Sequence, residues 1–166
     1  MRNTESFRLI ILLASEMNIE IEAAARMIAV KYGAIELSEL VTWADAIILE
    51  LENPPTELFD VSLAKSVSQT VSALNQLGVG ALCNKSELSK SVFGIFHNYL
   101  NSENPNYERI SKALFDMYME NLIPDAESGT YMVSYWDELD LAELGHYGNV
   151  EEVKLSMKNL INEKKR

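Results

Sequence analysis

The residues of this chain that could do chemistry are few, and they form no complete catalytic or metal-binding motif. Glu143 and His146 have the Glu-x-x-His spacing of helical di-metal carboxylate sites. Such a site needs a second copy of the motif, and the only other histidine, His97, has Gly94 at the corresponding position. Gly145 also predicts that the helix ends before His146. We therefore expect no metal site.

Nucleophilic and phosphate-binding chemistry lack their motifs as well. Cys83 is the only cysteine, and no motif links it to a histidine and an orienting acid. Gly78 and Gly80 lack the Lys-Ser/Thr pair that completes a P-loop. Asp137 and Asp140 could divide acid and base roles, but such pairs arise by chance among 25 acidic residues. The sequence predicts a protein that is not an enzyme and has no cofactor.

Helical periodicity dominates the chain, and no stretch shows the sustained alternation of a β-strand. At 166 residues, the chain has the length that one compact domain usually occupies. The pattern predicts an all-α fold, a single-domain bundle of about eight helices over residues 1–166. We expect antiparallel helical hairpins with little or no sheet.

Capping residues, glycines and prolines predict where the helices begin and end. The expected helices cover 4–17, 18 to Gly33, 38 to the prolines at 54 and 55, 56–63, 66–77, 84–100, 136–144, and Asn149 to the basic tail at 163–166. Asn104 with Pro105 is the expected start of a further helix. We interpret 122–130 as a loop and 131–133 as a short extended piece.

The net charge of −11 excludes several classes of partner. Negative charge repels nucleic acid phosphates and anionic membrane surfaces. The apolar run at 9–14 is too short for a signal peptide or for a membrane span of about 20 residues. A single cysteine fits a reducing compartment. We expect a cytoplasmic protein that binds neither nucleic acid nor membranes.

The excess acidic residues lie in two segments that contain no Lys or Arg. We call residues 32–64 the first acidic block and residues 113–153 the second acidic block. Together they hold these acids: Glu36, Glu39, Asp45, Glu50, Glu52, Glu57, Asp60, Asp116, Glu120, Asp125, Glu127, Asp137, Glu138, Asp140, Glu143, Glu151 and Glu152. Solvated helix faces are the simplest explanation for any single acid. Two base-free blocks cost self-repulsion that mixed charges would relieve, which favours a binding role.

Four short runs in the first acidic block resemble a known family: LVTWAD at 40–45, PP at 54–55, EL at 57–58 and VSL at 61–63. They are similar to helical bacterial immunity proteins that accompany polymorphic or contact-dependent growth inhibition toxins. The likeness covers about a fifth of the chain directly. Its motifs are structural, with Trp43 expected to be buried, and they identify no functional residue.

The resemblance implies a cytoplasmic protein that binds one cognate toxin domain, often a nuclease, and blocks its active site or substrate approach. An acidic surface is compatible with this function because nuclease domains present basic surfaces to phosphate. The alternative that stays open is a helical regulatory or scaffold module, monomeric or homodimeric, whose acidity serves only solubility.

We predict that the second acidic block supplies the main contact with the toxin. Its proposed residues are four charge partners and two aromatic anchors: Asp125, Glu127, Asp137, Asp140, Tyr131 and Tyr135. The first acidic block is the second candidate, with Glu36, Glu39, Asp45, Glu50 and Glu52. Of the other aromatic residues, Tyr147 is a further surface candidate, whereas Tyr118 and Trp136 are expected in the core.

Overall fold

The computed structural model describes residues 18–123 and 125–165, and all regular structure in these ranges is helical. The helices are α1 (18–31), α2 (Leu37–Glu50), α3 (Thr56–Ser62), α4 (Val67–Leu77), α5 (Lys85–Leu100), α6 (Tyr107–Met119), α7 (Ala126–Glu143) and α8 (Val150–Lys164), with a 3₁₀ helix at Val79–Asn84. No strand occurs in these ranges, which confirms the predicted all-α fold. The helix expected at 4–17 lies outside the described residues.

Helix α1 lies between two hydrophobic clusters and belongs to both. Ala23 and Val30 pack with residues of α2, α3 and α4. Ala25 and Ala29, on another side of α1, pack with residues of α5 to α8. Both alanines are fully buried, and such small side chains let neighbouring helices approach the α1 backbone closely. Met27 contacts both clusters, so α1 connects the two halves of the bundle.

Several helix ends follow the predicted local signals. Gly33 has φ +70°, and the N–H of Ala34 donates to Ala29 O at 2.9 Å. This is the Schellman motif that ends α1. Ser66 caps α4 and Asn84 caps α5, each accepting a backbone N–H three residues further on. Asn149 caps α8 in the same way. These predicted boundaries are confirmed.

Two predicted boundaries are wrong. Helix α6 starts at Tyr107, after Asn106 rather than at Asn104 and Pro105, because the Asn106 side chain accepts the N–H of Arg109 at 2.9 Å. Helix α7 starts at Ala126, so the loop expected at 122–130 is shorter and the extended piece at 131–133 is helical. Gly129 does not break α7, because it lies against the Tyr118 ring, where a larger side chain would collide.

None of the described helices combines the length and the apolar character that crossing a membrane requires.

Candidate partner-binding surface

Helix α7 carries five of the six residues predicted as the main contact, and the sixth, Asp125, is its N-cap. One face of α7 is buried, with Ser128, Met132, Tyr135 and Leu139 at steps of three or four residues. This buried face belongs to the hydrophobic cluster that α1 forms with α5 to α8, and α7 packs chiefly against α6 and α8. The remaining positions of α7 decide which acids face solvent.

Tyr135 is buried, so its prediction as a surface anchor is wrong. Only 3% of its surface is exposed, and its hydroxyl lies 3.0 Å from Ser156 Oγ on α8. The physical reason is that Tyr135 lies one helical turn after Met132, on the buried face of α7. Burial raises the pKa of the Tyr135 hydroxyl, which keeps it protonated and able to donate.

Asp125 begins α7, and its carboxylate has partners within the protein. It accepts the N–H of Ser128 at 2.8 Å and lies 3.1 Å from Lys164 Nζ on α8. The bonds from Ser128, and then the nearby Lys164, lower the pKa of this carboxyl. Asp125 therefore caps α7 and forms an ion pair with α8.

Glu127 and Tyr131 are exposed and lie one turn apart on the side of α7 that borders α8. Tyr131 is 56% exposed and lines a shallow cleft of about 450 Å³ with Glu152, Leu155 and Glu163. These two residues therefore share a surface with α8 rather than with the other predicted contact residues.

Asp137 and Asp140 lie on the outward side of α7, and exposed apolar side chains accompany them. Both acids are exposed, and Leu141 and Leu144 at the same helical spacing are 39% and 61% exposed. Tyr147, in the loop that follows, is 75% exposed, as expected for a surface candidate. We call these five exposed residues the α7 stripe: Asp137, Asp140, Leu141, Leu144 and Tyr147.

In the part of the chain that the structure describes, the carboxylates of the α7 stripe, Asp137 and Asp140, are not paired with any cation. Leu141 and Leu144 are not among the predicted contact residues, although their spacing from the two acids is the signal that could have identified them. Unbalanced acids interleaved with exposed leucines form a surface that can attract a cationic partner and then bury apolar area.

The end of α7 holds the stripe in a defined geometry. Gly145 has φ +70°, its N–H donates to Ala142 O at 3.1 Å, and the N–H of His146 donates to Leu141 O at 2.9 Å. The helix ends before His146, as predicted, so Glu143 and His146 do not share a helical turn. Within 18–123 and 125–165, no group of three or more potential ligands could hold a metal ion.

Tyr118 and Trp136, expected in the core, are partly exposed instead, at 39% and 38%. Tyr118 covers Gly129, and the Trp136 ring meets Phe115 edge-on with centroids 5.8 Å apart. Lys112 Nζ lies 5.0 Å from the centre of the Trp136 ring, a cation–π contact. Through these contacts, the two rings pack α6 against α7 at the edge of the core.

The acids predicted in the first acidic block do not form one patch. Glu36 and Glu39 lie at the start of α2, where Glu39 accepts the N–H of Glu36 at 2.8 Å. Asp45 accepts the Ser62 hydroxyl from α3. At the opposite end of the helix, Glu50 is the last residue and Glu52 follows it, and both are exposed. Three of the five predicted acids therefore take part in the local structure of α2 and α3.

Trp43, which carries part of the family resemblance, is half-buried. Its Nε1 donates to Glu22 at 2.9 Å, and the Arg26 guanidinium lies 4.6 Å above its ring. Trp43 packs at the edge of the hydrophobic cluster formed by α1 to α4, and it connects α2 to α1.

The two acidic blocks meet at a partly buried contact but do not form a continuous acidic surface. The Tyr32 hydroxyl from the first block donates to the Asp116 carboxylate of the second. Around this contact, an open cleft is lined by Lys31, Arg109 and Lys112. Helix α2 packs chiefly against α3, whereas α7 packs against α6 and α8.

Comparison with protein-family models, with curated proteins and with solved structures finds no match to this chain.

Proposed function

We propose that this protein is an immunity protein that binds a basic toxin domain, with the α7 stripe as its main contact surface. The observation that carries the proposal is the pairing of two unbalanced carboxylates, Asp137 and Asp140, with exposed Leu141 and Leu144 on one helix face. The resemblance in the first acidic block supplies the toxin-binding class.

The α7 stripe suits a partner that arrives by electrostatic attraction and is then held by apolar contact. Complementary charges raise association rates, whereas well-packed apolar and aromatic anchors slow dissociation. Tyr147 adds a large side chain at the end of the stripe. Glu127 and Tyr131, around the side of α7, form a second contact region if the partner also reaches α8.

The test uses the toxin domain encoded beside this gene and compares two matched double variants. Asp137→Asn with Asp140→Asn removes two charges from the α7 stripe, and Glu50→Gln with Glu52→Gln removes two exposed charges from the first acidic block. At low ionic strength, we expect the first variant to associate about tenfold more slowly than wild type, because steering weakens. The second variant should differ from wild type far less.

Surface plasmon resonance at low and high ionic strength measures both association rates. The gap between wild type and the Asp137→Asn/Asp140→Asn variant should narrow at high ionic strength, since salt screens the exposed charges. Equal slowing by the two double variants would show that only net charge matters. Failure of the wild-type protein to bind the toxin domain would remove the immunity function.

A regulatory or scaffold module that forms a homodimer is the second candidate function. Leu49 and Leu63 favour it, because they are 86% and 75% exposed in the neighbouring helices α2 and α3. Sedimentation velocity distinguishes the two functions. A concentration-dependent dimer that Leu49→Asp abolishes supports the second, and a monomer at every concentration excludes it.

A further inference from the structure

Three of the protein's 14 Lys and Arg side chains line one cleft of about 830 Å³. We call it the basic cleft. Lys31 comes from the end of α1, and Arg109 and Lys112 come from one face of α6. Lys31 and Lys112 are also the residues that immediately precede the two acidic blocks. A volume of about 300–1,000 Å³ is the usual range for small-molecule sites.

The Arg109 guanidinium packs against the backbone of Gly33 at the cleft. A Cβ on Gly33 would lie 2.7 Å from Arg109 Nη1 and 3.9 Å from its Cζ, so the guanidinium lies directly on the glycine backbone. The left-handed φ of +70° at Gly33 is also one that a side chain would strain. The residue that ends α1 therefore also makes room for Arg109.

The side chains that line the cleft carry a small formal positive excess. Its two acids are Glu36 and Asp116. Asp116 accepts the Tyr32 hydroxyl and lies 3.8 Å from Lys112 Nζ. Among the ion pairs of the described residues, none includes Lys31 or Arg109. Three bases against two acids leave room for one further negative charge.

The rest of the cleft lining is mainly apolar. Val30 lies in the last turn of α1, Ile35 in the turn between α1 and α2, and Leu37 and Val67 begin α2 and α4. Val67 is 45% exposed, although it is β-branched and apolar. A ligand that combined an anionic group with an apolar body would match both parts of this lining.

We propose that the basic cleft binds a small organic monoanion, a carboxylate on an apolar body, with the carboxylate on Arg109 and the apolar part against Leu37 and Val67. The planar guanidinium offers a fork of N–H donors that matches a carboxylate in two parallel hydrogen bonds. A dianionic phosphate ester fits less well, because the cleft balances one charge and the whole protein carries −11. The proposal does not depend on toxin binding.

The test uses dansylglycine, an aromatic fluorophore with one carboxylate, and dansylamide, which has the same ring system without the carboxylate. Fluorescence titration of the full chain should show much tighter binding of dansylglycine. Arg109→Gln should weaken dansylglycine binding by about tenfold or more, the usual effect of losing a hydrogen bond to a charged group. Octanoate should compete with dansylglycine, and inorganic phosphate should not.

Lys90→Gln is the matched control, since it removes one exposed positive charge from α5. It should leave dansylglycine affinity within about twofold of wild type, the scale of weak surface electrostatics. Octanoate should also move the amide NMR signals of Gly33 and Arg109 in the wild-type protein. Equal binding of dansylglycine and dansylamide, equal loss in Arg109→Gln and Lys90→Gln, or NMR shifts confined to other regions would overturn the proposal.

Discussion

The two acidic blocks are alike in sequence but use their carboxylates differently. In the first acidic block, Glu39 accepts a backbone N–H at the start of α2, and Asp45 accepts a hydroxyl from α3. In the second, Asp137 and Asp140 face solvent, and no ion pair of the described residues includes them. The two blocks have similar densities of acidic residues along the sequence, but the carboxylates of Glu39 and Asp45 are structural and those of Asp137 and Asp140 are exposed to solvent.

Position along a helix explains much of this difference, although Asp45 lies in the middle of α2 and bonds to Ser62 of α3 instead. The first turn of a helix has unbonded N–H groups and a partial positive charge, so an acid there has a partner within its own helix. Glu39 and Asp125 occupy such positions in α2 and α7. Asp137 and Asp140 lie in later turns of α7, where backbone N–H groups are already bonded. Their charge is left to act on other molecules.

The largest stability effect is expected where the two blocks meet. Tyr32→Phe removes the hydroxyl that donates to Asp116 and leaves this partly buried carboxylate with Lys112 alone. We expect a loss of about 1.5 kcal/mol in the free energy of unfolding, the low end for hydrogen bonds to charged groups. Urea denaturation measures it. Tyr131→Phe is the control, and it should change stability little because that side chain is exposed.

The same variant should alter the response to alkaline pH. Burial, and then the hydrogen bond to Asp116, raise the pKa of Tyr32 well above its ordinary value. The folded protein therefore keeps this proton at a pH where the unfolded chain loses it, near pH 10. The contribution of Tyr32 is complete below about pH 10 and declines above it. The stability gap between wild type and Tyr32→Phe should narrow in this range, and a constant gap would contradict the assignment.

A smaller effect is expected at Asp125, the acid of the second block with a structural role. Asp125→Ala removes the N-cap of α7 and the partner of Lys164, and should cost about 1 kcal/mol in the free energy of unfolding. Asp125→Asn keeps the capping oxygen and should cost less than half as much, because Asn caps helices as well as Asp does. If both variants lose equal stability, the ion pair with Lys164 outweighs the cap.

Local signals explain why much of the fold could be predicted from the sequence. Gly33, Ser66, Asn84 and Asn149 act on backbone groups within a few residues, so their effect does not depend on the rest of the fold. Asp125, the N-cap of α7, is a local signal of the same kind, but the residues that follow it argue against a helix. Gly129 and its neighbours are weak helix formers, but packing against Tyr118 on α6 outweighs that preference.

The candidate surface depended more on tertiary packing and was predicted only in part. Tyr131 and Tyr135 are four residues apart and look equivalent in sequence, yet the position of α8 buries one and leaves the other exposed. Asp137 and Asp140 were identified from charge alone. Their leucine neighbours Leu141 and Leu144 resemble core residues until the orientation of α7 is known.

The smallest effect, but one of opposite sign in the two blocks, is expected from single alanine variants. Glu39→Ala removes the side chain that accepts the Glu36 N–H and should lower the free energy of unfolding by about 0.5 kcal/mol. Asp137→Ala should raise it by a similar amount, about 0.5 kcal/mol, because Ala favours helix and one repulsive charge is lost. Glu50→Ala, at the end of α2, is the control and should not destabilise the fold, since a carboxylate opposes the negative pole there. Urea denaturation of the three variants decides the matter, and a loss of stability in Asp137→Ala as large as in Glu39→Ala would show that the α7 stripe carboxylate also has a structural partner.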